Sequence, residues 1–155
     1  MVSKSKEIWI RGGLVILSFV LAACGASPSF YLRYGDRLSE RDLDSLLAAN
    51  PLGASENIKA ITLGQTREVS HHVVQIRDRE VPHIHKGHDV TVVMLRGQGY
   101  LMWGKERMDL VAGDILFIPR GAVHYFINTH SGPAVALAIY SPAFDGKDTI
   151  PVEKP

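Results

Sequence analysis

His83-Ile84-His85 and His124-Tyr125-Phe126-Ile127-Asn128 are the parts of this chain whose residue types and spacing could do chemistry. Side chains alternate across an extended segment, so His83 and His85 share one face and Ile84 takes the other. Neutral imidazole is a common ligand for Zn, Fe, Ni and Cu, and two on one face can chelate a single ion. Pro82 cannot donate to a ladder, which suits the first residue of a strand or an edge. Pro119-Arg120-Gly121 is a turn signal between apolar Ile115–Ile118 and His124–Ile127. It brings His124 onto a strand after a sharp change of direction. A lone His-x-His recurs on surfaces by chance, so the reading rests on the third imidazole and the turn in front of it.

The stretch Gly113-Asp-Ile-Leu-Phe-Ile-Pro119-Arg-Gly121-Ala-Val-His124-Tyr-Phe-Ile-Asn128 resembles the second conserved motif of the cupin superfamily, and every spacing of that motif is met. His83-x-His85 and the later Gly97 resemble the first motif less completely. Arg77 stands where the family has Gly, and no Glu follows the second His. Counting forward from His85 lands on Asp89; counting back from Gly97 lands on Val90. The resemblance therefore implies His83, His85 and His124 as ligands of one divalent transition metal (Fe, Mn, Zn, Ni or Cu). Asp89 is favoured as the fourth ligand, with His88 as a substitute or a three-His set as the alternatives. It further implies an all-β double-stranded β-helix, a jelly-roll barrel over Val69–Tyr140, with the site in the barrel mouth. Asn128 matches a position that is structural in the family, and the family's habit of pairing allows a homodimer.

The elements that must position these residues are legible from pattern. Ile58–Leu63, Val69–Arg77, Val81–His85, Val90–Leu95, Gly99–Trp103, Glu106–Leu110, Asp114–Ile118, His124–Asn128 and Ala134–Tyr140 read as short strands separated by turn residues, which suggests a sandwich or barrel. Before them, Ser39 reads as the N-cap of a short helix carrying Leu43, Leu46 and Leu47 on one face, ended by Asn50-Pro51-Leu-Gly53. Strand faces allow Val92, Met94, Tyr100, Met102, Phe117 and Phe126 to line an apolar cavity around the metal, with ordinary core or an exposed dimer face as the alternatives. Alternation turns either His71 or His72 inward, so His72 joins Gln75 and His88 as candidates to support the metal or touch a substrate. His130 falls in a polar turn and is expected to be exposed.

The front of the chain reads as an address. Lys4, Lys6 and Arg11 precede an apolar run, then Leu21-Ala-Ala-Cys24, which is the plan of a signal peptide with a cleavage site. The uncharged stretch is short for a membrane span. Leu-Ala-Ala-Cys resembles the bacterial lipobox, which implies a lipid on Cys24, the one cysteine in the chain. The resulting organisation is a signal peptide over 1–23, a tether and N-terminal helix over 24–57, a cupin domain over 58–145 and a C-terminal tail over 146–155. The implied location is the cell envelope. Gly25 in place of Asp after the cysteine favours the outer membrane, facing the periplasm, if the host has two membranes. Removing 1–23 takes away Lys4, Lys6, Arg11 and Glu7 and leaves 14 basic against 15 acidic side chains. That balance offers no basic surface for nucleic acid. Two classes of function remain: a metal-dependent dioxygenase, decarboxylase or isomerase acting on a small molecule, or a non-catalytic module that binds or senses a metal, sugar or other small ligand.

Overall fold

Two five-stranded antiparallel sheets face one another in the computed structural model, which describes residues 27–153. The segment read as a signal peptide, with Cys24, lies outside the described residues. The nine strands expected from pattern are all present: β3 (Ile58–Gln65), β4 (Ser70–Ile76), β5 (His83–His85), β6 (Asp89–Arg96), β7 (Gln98–Trp103), β8 (Glu106–Val111), β9 (Ile115–Ile118), β10 (His124–Asn128) and β11 (Ala134–Ser141). Three more were not anticipated. β1 (Ser29–Tyr34) and β2 (Arg37–Asp42) form a hairpin where a tether was expected, and β12 (Thr149–Pro151) adds to β5 from the supposed tail. One sheet runs β12-β5-β10-β7-β8, the other β3-β4-β11-β6-β9.

Alternation decides what fills the space between the sheets. Val90 and Met94 of β6, Leu101 of β7, Ile118 of β9, Phe126 of β10 and Ala134 and Ala138 of β11 form the central cluster. The expected cavity face is half right: Val92, Met94 and Phe126 line the cavity, but Tyr100, Met102 and Phe117 do not. Register explains the error. Leu101 lies opposite Phe126 and takes the inward position on β7, so its neighbours Tyr100 and Met102 point away. On β9, Leu116 and Ile118 point in, leaving Ile115 and Phe117 exposed.

A second apolar cluster covers the outer face of the β3-containing sheet. Helix α1 (Leu43–Ala49) buries Leu43 and Leu46 there against Val73 and Val135, with Phe30 of β1 beside them. The helix is capped by Asp42, whose carboxylate accepts from Ser45 N–H at 2.9 Å; Ser39 lies within β2 instead. Asp42 is one residue before the first helical position, where its oxygen can reach an unsatisfied N–H, and Ser39 is too far upstream to do so. The hairpin is tied to the sheet by Tyr34, whose hydroxyl bonds His71 Nδ1 at 2.7 Å. Its ring lies over Gly64, where any Cβ would come within 2.1 Å of it.

Candidate metal centre

Strand pairing brings the three histidines together. His124 of β10 is directly opposite His83 of β5, and His85 follows two residues along on the same face. The three offer ligand atoms that all lie within 4.8 Å of one another. Their ring centroids are 4.3 Å apart for His83 and His124, 5.0 Å for His83 and His85, and 5.3 Å for His85 and His124. All three are buried. The turn that delivers His124 depends on Gly121, which adopts φ +80° and donates its N–H to the carbonyl of His85 at 2.7 Å. Only glycine takes that conformation without strain.

Each imidazole is oriented by a backbone carbonyl. His83 Nδ1 bonds Val81 O at 2.8 Å, His124 Nδ1 bonds Ala122 O at 2.9 Å, and His85 Nδ1 bonds Asp148 O at 3.2 Å. A carbonyl can only accept, so in each ring Nδ1 carries the proton and Nε2 presents a lone pair. This is the arrangement that metal-binding histidines use. Burial, reinforced by the neighbouring imidazole of His83, holds His85 down to about 4. Burial likewise holds His124 down to about 4, against the opposing pull of its bond to Ala122. Both rings are therefore neutral and ligand-ready at neutral pH. The donor set fits a divalent transition metal.

Asp89 is elsewhere. Val90, Val92 and Met94 of β6 face the cavity, so Asp89 falls on the opposite parity. Its Oδ1 accepts from Arg120 N–H at 2.9 Å and its Oδ2 from the Arg120 guanidinium at 2.7 Å. These bonds hold the Asp89 carboxyl down to about 2. His88 is buried but faces the C-terminal segment, with Nδ1 at 2.5 Å from Asp148 Oδ2 and Nε2 at 3.1 Å from Ala143 O. His72 is the inward member of its pair. Its ring packs edge-on to Tyr140 and Phe144, and its nitrogens bond Thr62 and Ser70. Gln75 points the other way and donates to Asn50 O at 2.9 Å. Asn128 spans the β10 turn, donating to Arg77 O and Gly132 O, and His130 is exposed.

Three residues that bear on the site were not singled out from sequence. Glu80 lies along β10: its N–H donates to Phe126 O at 2.9 Å and its Oε2 accepts from Phe126 N–H at 2.8 Å. It lines the cavity beside the histidines, and burial raises its carboxyl against the opposing effects of His83 and the Phe126 N–H. Tyr140 also lines the cavity, packs edge-on to His85 and is shifted upward by burial and then by Glu80. Its inward parity with Ala136 and Ala138 was legible on β11. Asp148 holds Lys86 N–H, Gly87 N–H and His88 with its carboxylate while its carbonyl holds His85. Glu80 sits in the charged run Asp78-Arg79-Glu80 and Asp148 in the polar run Asp145-Gly-Lys-Asp, so nothing local separated them from ordinary loop residues.

A family model described as "Cupin domain" matches residues 70–140. An uncharacterized protein of Aquifex aeolicus is 43% identical over 113 residues, covering 73% of this chain and 92% of that protein. Among solved structures, TT1209 from Thermus thermophilus aligns with TM-score 0.57 at 26% identity, covering 67% of this chain and 97% of the other. A Streptomyces PAC13 variant with uridine aligns with TM-score 0.53 at 21% identity, covering 63% and 80% of the two chains.

Proposed function

This chain belongs to the cupin superfamily, and on that premise we propose that it is a mononuclear metal protein. His83, His85 and His124 would hold one divalent transition metal, and the site would act on a small molecule bound in the cavity beside them. The observation that carries this reading is the shared tautomer: three buried imidazoles with Nδ1 on backbone carbonyls and Nε2 free to converge. Such an ion, when bound, supplies a Lewis acid or redox centre. Imidazole suits Zn, Cu, Fe and Ni alike, so the donor set does not choose among them.

The chain's own residues supply the rest. Both Asp89 oxygens are taken by Arg120, which supports a three-His set. Glu80 is the group suited to move a proton. Its Oε2 is pinned by Phe126 N–H, its Oε1 has no hydrogen bond among the described residues, and burial favours its protonated form at a higher pH than an ordinary carboxylate. Glu80 tips the balance from a binding module toward an enzyme, because a proton-transfer group beside the metal is what a purely binding site does not need.

Metal analysis of protein purified without chelators tests the site. About one equivalent is expected in the wild type and little in His83→Ala/His124→Ala; stoichiometric metal in the double variant overturns the reading. Screens for oxygen uptake and small-molecule turnover then address the reaction. We also propose that lipid on Cys24 anchors the protein at the cell envelope, supported by the lipobox-like Leu21-Ala-Ala-Cys24 and by Cys24 being the single cysteine. Bacterial lipoproteins carry more than one acyl chain, and one chain alone binds membranes only marginally.

A further inference from the structure

We infer that the ligand of this site has an apolar body and an oxygen-bearing head, the head at the metal and the body in the barrel interior. The inference rests on the metal reading above and adds the chemical class of the ligand. It follows from what lines the cavity. The polar residues there are the three histidines, Glu80 and Tyr140; the remainder of the wall is aliphatic or aromatic. Phe126 lies two residues along β10 from His124, and Leu101 is its register partner on β7. Val90, Val92 and Met94 of β6 close the facing side. A molecule that enters past the metal therefore meets hydrocarbon.

The size of the space agrees. The cavity measures about 80 Å³, room for about three water-sized groups at roughly 30 Å³ each. A short alkyl body fits. A sugar or nucleoside would bring several hydroxyls to a wall that offers only Glu80 and Tyr140 once the imidazoles are committed to the ion. A buried hydroxyl without a partner costs on the order of tenfold or more in affinity. An oxygen-bearing head can meet the ion and hydrogen-bond with Glu80 and Tyr140, the polar groups of the wall.

The experiment uses the full-length chain, loaded with Zn(II) and shown by dialysis to hold about one equivalent. Straight-chain hydroxamates from acetyl to hexanoyl are titrated calorimetrically, with glucuronate and uridine alongside. Affinity is expected to rise about fourfold per added methylene until the cavity is full, and glucuronate and uridine are expected to bind more weakly than the hexanoyl compound. Val92→Phe, which adds bulk to the cavity wall, should abolish the chain-length gain. A flat series on the wild-type protein, or tighter binding of glucuronate or uridine, overturns the inference while the metal site stands. Failure to load any of Zn(II), Fe(II), Ni(II) and Cu(II) overturns the metal reading, and this inference with it.

Discussion

His85 donates its Nδ1 proton to the backbone carbonyl of Asp148, a residue 63 positions downstream. The other two histidines are oriented by carbonyls two residues away on their own segments, Val81 for His83 and Ala122 for His124. One of the three candidate ligands thus depends on a distant stretch of chain. That stretch is held in place by the Asp148 carboxylate, through Lys86 N–H at 3.1 Å, Gly87 N–H at 2.7 Å and His88. β12 then pairs with β5 directly behind it.

Replacing Asp148 by Ala should weaken metal binding. The carbonyl survives the substitution, but its three anchors do not, and loss of groups that orient a ligand generally costs about 10–100-fold in metal affinity. Competition against a chromogenic chelator measures it. An Asp148→Ala protein with wild-type affinity would show that β12 alone positions the segment.

Asp89→Ala should leave metal affinity within about twofold, whereas His83→Ala or His124→Ala should remove most bound metal. The contrast follows from parity on β6 and from the occupation of both Asp89 oxygens by Arg120. Metal content by mass spectrometry after gel filtration decides it. A tenfold or larger loss in Asp89→Ala would return that carboxylate to the metal shell.

Acid should destabilise the metal-free protein in a defined window. His85 and His124 sit near 4 when folded and near the ordinary 6.5 when unfolded. Below 6.5 the unfolded chain binds more protons than the folded one, so stability is fully present above that pH and falls as pH drops through 4. Urea midpoints at pH 7, 5.5 and 4.5 should decrease in that order. These two ligands should also stay available to metal well below the pH at which an exposed histidine protonates.

Glu80→Gln should retain metal and fold, because a Gln side-chain oxygen can still accept from Phe126 N–H. Any turnover revealed by the screens should fall by about 10²–10⁴-fold, the usual contribution of a positioned acid or base. Full activity in the metal-loaded Glu80→Gln protein would leave Glu80 a structural role only.

Cys24→Ser should abolish lipid attachment. The expected result in a bacterial host is an unprocessed precursor or a soluble form, read by fractionation and by mass of the intact protein. A Cys24→Ser protein that fractionates with membranes at the mature size would rule out lipid on this residue as the anchor.

Most short-range features of the barrel were readable from the residues, although the β1–β2 hairpin and the Asp42 cap were not. His83 and His85 share a face because a strand repeats every two residues, and nine strands are recognisable from alternation and turn residues. The Gly113–Asn128 motif carried the third histidine because its turn, from Pro119 to Gly121, is a local backbone requirement. The errors came where a decision depended on packing. Asp89 was placed at the metal by counting, yet a shift of one residue reverses a strand side chain, and β6 had already committed Val90 inward. Tyr100, Met102 and Phe117 fall on the wrong strand faces for the cavity, because register with β10 and pairing with β6 give the inward positions to Leu101, Leu116 and Ile118.

What only the tertiary structure decided is the set of groups that arrive from far along the chain. Glu80 and Asp148 occupy charged and polar runs that read as solvated loop, and neither has a periodic neighbour to mark it. Each acquires its place through hydrogen bonds to backbone groups that are remote in sequence, Glu80 to Phe126 of β10 and Asp148 to Lys86 and Gly87 just after β5. The sequence by itself determined which residues can bind a metal, because ligand type and strand parity are local. It could not determine which carboxylate stands beside them, because that depends on which loops the closed barrel brings to its mouth.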